Sequence, residues 1–527
     1  MLPPPAIRGV FRTDRRARAA YAEGAGIFRI LPAAVCVPVD REDVASVVHW
    51  AGTHGVALVP RGAGSAMGGG NVGDGVILDL TGLPHRLELD PSRRLARTSA
   101  SVSLSELGLR ADAAGLRLPP DPSSSSWATS GGVVSTNAAG ARSVRYGSVR
   151  RWVEAVEMVT ADAEVVELRR GSRGDAQALD RFEREAAPLI RAAAVEIAAR
   201  FPRTRKNSSG YALDHYLATG DPLDLVIGAE GTLGVVTAVA WRLDPVPASR
   251  GGLRVALPSL DPLAEVVAAL LQSEPSAVEL LDRTFLELVG EGGSEAVVLV
   301  EIEGETPAAV RSAINASAKA VRPLASRVDT GLTADAAARL WALRHAASPI
   351  LAGLPEDRRS LQVIEDACVP VERMSDYVRA VREGAGARGI PAVIFGHAGD
   401  GHIHVNLLPR ITEPDWESRV AILLEEVTDI VVQLGGTPSG EHGDGRLRAP
   451  LLSRVYGREV VSHFERVKRS FDPLGILNPG VILTDGQPPV SRLKVGVLAA
   501  PLPDDIALEL RSIEQRAGYA RSRLELA

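Results

Sequence analysis

A chain of 527 residues is longer than one hydrophobic core serves, so two or three domains are expected, each large enough to fold without staples. With 45% hydrophobic and 24% charged residues and a net charge of -6, the composition is that of an ordinary globular protein and gives no basic footprint for nucleic acid. The 2 cysteines, Cys36 and Cys368, stand far apart and outside any C-x-x-C spacing, which excludes a disulfide framework or an iron–sulfur cluster built from this chain and points to a reducing compartment.

The first residues, MLPPPAIRGVFRTDRRARAA, lack an apolar signal core, and no run of about 20 apolar residues follows anywhere. A cytoplasmic protein is expected, with peripheral membrane contact left open. Residues 35–62 read strand, helix, strand, with Asp40 as the helix N-cap and Asp43 favouring its positive end. A short strand at 75–80, a helix over 103–115, a hairpin around TADA within 153–168 and further strand over 223–243 continue an α+β pattern. At 244–252 the pattern resets, which predicts a linker. Beyond it, alternating strands and helices predict a second sheet with helices on one face; 361–370 and 391–409 are read as strands. Residues 486–527 read as an appended tail whose amphipathic segment suits a surface or partner helix.

Three stretches of small residues fall beside strands in the first half. PRGAGSAMGGGNVGDG (60–75) can wrap a phosphate through converging backbone N–H groups, or be a plain surface loop. Gly68, Gly70 and Gly73 fit G-x-G-x-x-G, but a strand follows where the dinucleotide fingerprint needs a helix, so the Rossmann reading fails. With 119–148 and GAEGTLGVVT (228–237), the three loops suggest a long cofactor held by backbone.

The set resembles the FAD-binding domain of the vanillyl-alcohol-oxidase and p-cresol-methylhydroxylase (PCMH) superfamily. The resemblance implies non-covalent FAD, since no histidine stands in the first loop. It implies that Arg61, Gly62, Ala63, Gly64 and Ser65 cradle the pyrophosphate. Pro120, Asp121, Thr129, Gly131, Gly132, Ser135 and Asn137 would run along the cofactor, and Glu230, Gly234 and Val235 would lie near its adenine half. Asn478, in ILNPG, joins the implied cofactor set, although NPGV replaces the usual NPGK. RKNSSGY (205–211) also matches a recurring stretch, with no role assigned.

Four of the 10 histidines fall between 397 and 442, in GHAGDGHIHVN (396–406) and SGEHGDG (439–445). Imidazoles with one carboxylate can hold a divalent ion with positions left open for substrate, yet H-x6-H is not the spacing of helical zinc sites, and a glycine-rich turn can hold a histidine innocently. The paired motifs are similar to those of FAD-dependent D-2-hydroxy-acid dehydrogenases, the D-lactate, glycolate and D-2-hydroxyglutarate group. That resemblance implies a divalent metal, commonly zinc, on His397, His404 and Glu441, with His442 as general base and His402, where many relatives have asparagine, outside the ligand set. It implies that Arg344 grips the substrate carboxylate in a bidentate fork, with Ser348 nearby, and that Asn406 lies near the substrate.

The expected architecture is thus a PCMH-type FAD-binding domain (1–247), a ferredoxin-like α+β substrate or cap domain (248–440), a segment returning to the flavin (441–485) and the tail (486–527). QVIED offers no lysine before Asp366 for a distal carboxylate, which favours a D-lactate-like monocarboxylate over a dicarboxylate. Electrons would leave to a separate acceptor: a quinone, an electron-transfer protein or oxygen. Two rivals remain from other classes: a colourless metal-dependent hydrolase, and a flavin-binding subunit that does not turn over alone.

Overall fold

Our computed structural model describes residues 3–172 and 174–527, and among these all side chains except those at 345 and 347–349. The unit after residue 33 forms as its caps dictate. Strand Ala34–Val37 leads into helix Arg41–His54, which Asp40 caps by accepting from the Asp43 N–H, and Gly55 ends it in the left-handed conformation at φ 64°. An N-cap of this kind is worth about 1 kcal/mol. Ala34–Val37, Val76–Asp79 and Leu58–Arg61 lie side by side in parallel, so the chain leaves the edge strand at Arg61 directly into the first glycine loop.

A five-stranded antiparallel sheet completes the first half. Its central strand Val235–Arg242 pairs with Leu95–Ser99 on one side and Val153–Val159 on the other. Of the strand expected over 223–243 only this second part forms. Leu223–Val226 is one helical turn, and the glycine-rich 227–234 is a loop in which Glu230 takes φ 50°. The core of this half also takes in helix Leu452–Phe471, through Phe464 and Phe471 among others, so the chain returns to it after the second sheet.

The expected linker at 244–252 is ordered strand. Asp244–Pro245 pairs with Leu116–Arg117, and Ser249–Leu257 already belongs to the next sheet. That sheet has seven antiparallel strands among the described residues, in the order Arg327–Gly331, Ser249–Leu257, Ala296–Gly304, Ala277–Asp282, Ala392–His397, His402–Leu407 and Ala367–Cys368. The segment at 391–409 is therefore a hairpin, and 361–366 is irregular. Helices flank both faces rather than one. A Cβ at Gly251 would meet Ile314 of helix Pro307–Val321, whereas one at the next residue, Gly252, would meet Ala337 of helix Ala334–His345. Successive strand residues point to opposite faces, so the second helix lies on the face that carries the site.

The tail does not present its apolar stripe outward. Helix Asp504–Arg516 buries Ile506, Leu510 and Ile513 against Ala19, Tyr21, Val35 and Ile77 of the first half. No helix among the described residues is long and apolar enough to cross a membrane.

Candidate functional site

The hairpin register builds the site. His397 faces His402 across the turn, Phe395 faces His404, and Val393 faces Asn406; the period of two puts His402, His404 and Asn406 on one face. Gly401, at φ 73°, closes the turn. On the neighbouring strand Leu280 pairs with Gly396, which sets Glu279 beside His397. The loop 439–442 is drawn onto the same face by Asp366, whose carboxylate accepts from Ser439 Oγ at 2.6 Å and from the His442 N–H at 2.9 Å.

Three ligand atoms converge. His397 Nε2 lies 3.1 Å from Glu441 Oε1 and 3.4 Å from His404 Nε2, and the last two lie 3.4 Å apart. An ion bound tetrahedrally at about 2.0–2.2 Å spaces its ligands about 3.3 Å apart. The other nitrogens are committed: His397 Nδ1 to Glu279 at 2.5 Å and His404 Nδ1 to the Glu365 carbonyl at 2.9 Å, which fixes both rings with Nε2 inward. Glu441 Oε2 accepts from Lys206 Nζ at 2.9 Å and from the Gly140 N–H at 2.8 Å, so only Oε1 faces the imidazoles. Charge fits too: Glu279, Glu365, Asp366, Asp400 and Glu441 face Lys206, Arg344 and Arg448, a deficit of two positive charges that a divalent cation would fill. The same carboxylates favour protonated imidazoles. Burial opposes a charged His397, yet Glu279 raises it to about 9; burial likewise opposes His442, which Glu365 and Asp366 raise to about 10. A second grouping, Glu365, Asp366, His404 and His442, has its carboxylates bound to Arg448, His402 and the 439–442 loop, and acts as support.

His442 keeps Nδ1 on Glu365 at 2.7 Å, leaving Nε2 for the cavity, 3.8 Å from Glu441 Oε1. Arg344 lies over the Phe395 ring at 4.8 Å and gives its Nε to Glu279 at 2.7 Å, so its terminal nitrogens are the ones left to meet a carboxylate. Asn406 Oδ1 accepts from Ser360 Oγ at 2.9 Å, leaving its amide N–H groups for a ligand. The side chain of Ser348 lies outside the described residues.

These groups line one end of a cavity of about 1130 Å³, beyond the roughly 300–1,000 Å³ of ordinary small-ligand sites. Gly62, Ala63, Gly64 and Ser65, then Asp121, Thr129, Gly131, Gly132 and Ser135, and finally Glu230 and Gly234 line the rest. Such volume suits an extended dinucleotide plus a small acid. Arg61 also lines it, but its guanidinium binds the carbonyls of Tyr21, Glu23 and Asn71 and so braces the loop.

Four implied cofactor residues are set back from the wall. Val235 is buried in the core because the strand alternates, leaving Gly234 and Val236 on the cavity. Asn137, at φ 52°, caps helix Ser130–Thr136. Pro120 precedes the lining residue Asp121 without joining it. Asn478 donates to the carbonyls of Gly70 and Glu230, both at 2.8 Å, and so ties two glycine loops together. Glu230 itself accepts from the Asp444 and Gly445 N–H groups; burial, reinforced by Asp444, raises its carboxyl to about 8.

Residues that the motifs passed over do much of the positioning: Glu279, Glu365, Asp366 and Lys206. Their one sequence signal is charge within apolar runs, as in SAVELLD and QVIEDACV, and the lysine in RKNSSGY. The tail contributes as well, since Arg511, Gln515 and Tyr519 line the cavity and Tyr519 lies 5.8 Å from Trp127.

Comparison with solved structures gives the class first. The 4-ethylphenol oxidase from Gulosibacter chungangensis superposes with a TM-score of 0.66 at 18% identity, covering 90% of this chain and 94% of that one. p-Cresol methylhydroxylase does so with 0.66 at 16% and the same coverage. The fold is that of PCMH-type flavoproteins. The FAD binding domain family matches residues 32–169, and the family described as FAD linked oxidases, C-terminal domain, matches 246–482. The D-lactate dehydrogenase of Archaeoglobus fulgidus is 30% identical over 462 residues, 85% of this chain and 91% of its own. The glycolate oxidase subunit GlcD of Bacillus subtilis is 28% identical over 464 residues, covering 86% and 89%. The D-2-hydroxyglutarate dehydrogenase of Xanthomonas citri pv. viticola is 29% identical over 483 residues, covering 87% and 91%. The chain belongs to this family of FAD-linked oxidoreductases.

Proposed function

We propose that this chain oxidises a D-2-hydroxy acid with a small side chain, D-lactate or a near relative, to the 2-oxo acid. The observation that carries the reading is the convergence of His397, His404, Glu441, His442 and Arg344 at one end of the cavity that the glycine loops line. The loops would hold FAD, which would supply a hydride acceptor, and His397, His404 and Glu441 would hold a divalent ion such as zinc, which would supply a Lewis acid for the substrate's oxygens. Arg344 receives the substrate carboxylate in its free fork and presents one face of C2, which selects the D enantiomer. His442, whose proton the charge of a bound divalent ion would drive off, takes the hydroxyl proton on Nε2, and Glu365 holds the ring and stabilises the imidazolium that results. Asn406 orients the substrate through its amide N–H groups.

Among the described residues no lysine lines the cavity, and the groups beside Asn406 are Ser360 and Gln362, which supports a monocarboxylate. Both cysteines are buried and unpaired, so electrons leave the flavin to an acceptor outside the chain: a quinone, an electron-transfer protein or oxygen. The test is turnover of a panel of 2-hydroxy acids with a redox dye. The reading expects D-lactate-like acids to be oxidised well ahead of their L enantiomers and of D-2-hydroxyglutarate. Equal rates for both enantiomers would contradict the role of Arg344, and no oxidation of any member would contradict the reading as a whole.

A further inference from the structure

We propose that Lys206 and Asp366 together keep His402 out of the metal's coordination set, so that a buried, ligand-competent imidazole serves as scaffold and the ion keeps positions open for substrate. The inference rests on the reading of His397, His404 and Glu441 as a metal site.

His402 is fully buried within the cluster. Its ring centroid lies 4.6 Å from that of His404 and 5.3 Å from that of His397, and one ligand atom from each of His397, His402, His404 and Glu441 falls within 4.8 Å of all the others. Four protein ligands make a closed, structural site, whereas a catalytic ion keeps a position for water or substrate. A fourth imidazole at this distance therefore has to be restrained if the site is to work.

Both of its nitrogens are occupied. Nε2 meets Asp366 Oδ1 at 2.8 Å, and a carboxylate there fixes the ring proton on Nε2 and the lone pair on Nδ1. Lys206 Nζ sits 3.2 Å from Nδ1 and donates to it. Lys206 is itself buried and also donates to Glu441 Oε2, so its ammonium stands between the His402 lone pair and the ligand set and adds a like charge that repels a divalent ion from that side. Asp366 cannot readily turn away, because it also holds Ser439 Oγ and the His442 N–H. The ring is confined sterically: a Cβ at Gly440 would lie 2.7 Å from His402 Cδ2, so the loop that carries Glu441 lies flush against it. The lysine that the sequence offered without a role thus becomes a positioning residue.

The experiment loads the FAD-containing enzyme with cobalt(II) and records its ligand-field bands at wavelengths beyond the flavin's own absorption, for wild type, His402→Asn, Lys206→Met and the double variant. Bands of His402→Asn that superimpose on wild type, a band shift in Lys206→Met as Nδ1 is freed to bind, and return to the wild-type spectrum in the double variant are expected. A shifted spectrum in His402→Asn alone would make His402 a ligand of the native ion and overturn the proposal. So would an unshifted Lys206→Met, or a shift that persists in the double variant and therefore comes from Glu441. If Lys206→Met does not fold, Lys206→Leu carries the same comparison, while His402→Asn alone decides whether His402 is a ligand. Failure of wild type to bind cobalt would instead remove the metal reading, and this proposal with it.

Discussion

The two ends of the cavity are built on opposite principles. At the glycine-loop end the wall is mostly glycine, alanine, serine and threonine, which offer backbone groups and shape more than side-chain charge. At the reaction end it is histidine, arginine and carboxylate, nearly all buried, and His397, His442 and Arg344 are each oriented by a carboxylate. Substitutions at the first end should act through close packing, as at Gly62, where a Cβ would run into Thr129 Oγ1. Substitutions at the second should act through lost partners, because its groups are fixed through one another. The contrast teaches where substitutions will bite.

The largest effect belongs to the group that moves the proton. His442→Ala should slow single-turnover flavin reduction about 10²–10⁴-fold, the usual worth of a positioned base, while leaving the flavin spectrum of the resting enzyme unchanged. Reduction near the wild-type rate would assign the proton to another group. Glu279→Gln sharpens the contrast from one shell further out, since Glu279 holds both His397 Nδ1 and Arg344 Nε. Burial works against its charge, but His397 and Arg344 hold its carboxyl down at about 2. A loss of about 10–100-fold in metal affinity is expected, read by metal content after dialysis against a chelator, with KM for the acid rising as Arg344 loosens. Unchanged metal retention would contradict the positioning of His397.

The last effect lies at the glycine-loop end and acts on stability rather than on turnover; its sign follows from linkage. Glu230 has its carboxyl raised from 4.5 to about 8 by burial and by Asp444. Below pH 4.5 it is protonated whether the chain is folded or not. As pH rises toward 8 the unfolded chain ionises while the folded one retains the proton, so folding loses stability across that window and no further above it. Glu230→Gln keeps an acceptor for the Asp444 and Gly445 N–H groups and removes that loss. Its stability relative to wild type should therefore grow between pH 4.5 and 8, approaching about 4 kcal/mol, in urea denaturation across the range. A difference independent of pH would contradict the buried, protonated carboxyl.

The same contrast explains what could be read from the sequence. The glycine loops and the hairpin GHAGDGHIHVN are local features, because the residues that act together are neighbours in the chain, and residues 397, 404, 441 and 442 do meet. Glu279, by contrast, acts on a histidine 118 residues away and Glu365 on one 77 away. Each is one acid within an apolar run; sheet register gives Glu279 its partner, and the loop that Asp366 holds brings His442 to Glu365. Val235 and Asn478 show the reverse: they sit inside recognisable stretches, but strand alternation turns the Val235 side chain inward and the Asn478 side chain ties two loops. The tail's amphipathic period is real, yet periodicity names a buried face without naming what covers it, and here that is the chain's own first half.

The most direct test of the central claim, that one cavity joins a flavin end to a metal-assisted reaction end, is the anaerobic absorbance spectrum of the purified enzyme before and after D-lactate, repeated after treatment with a chelator. The account predicts flavin bands that bleach with D-lactate and persist once the metal has been stripped. Bleaching unaffected by verified metal removal, or flavin bands that no D-2-hydroxy acid reduces, would contradict it.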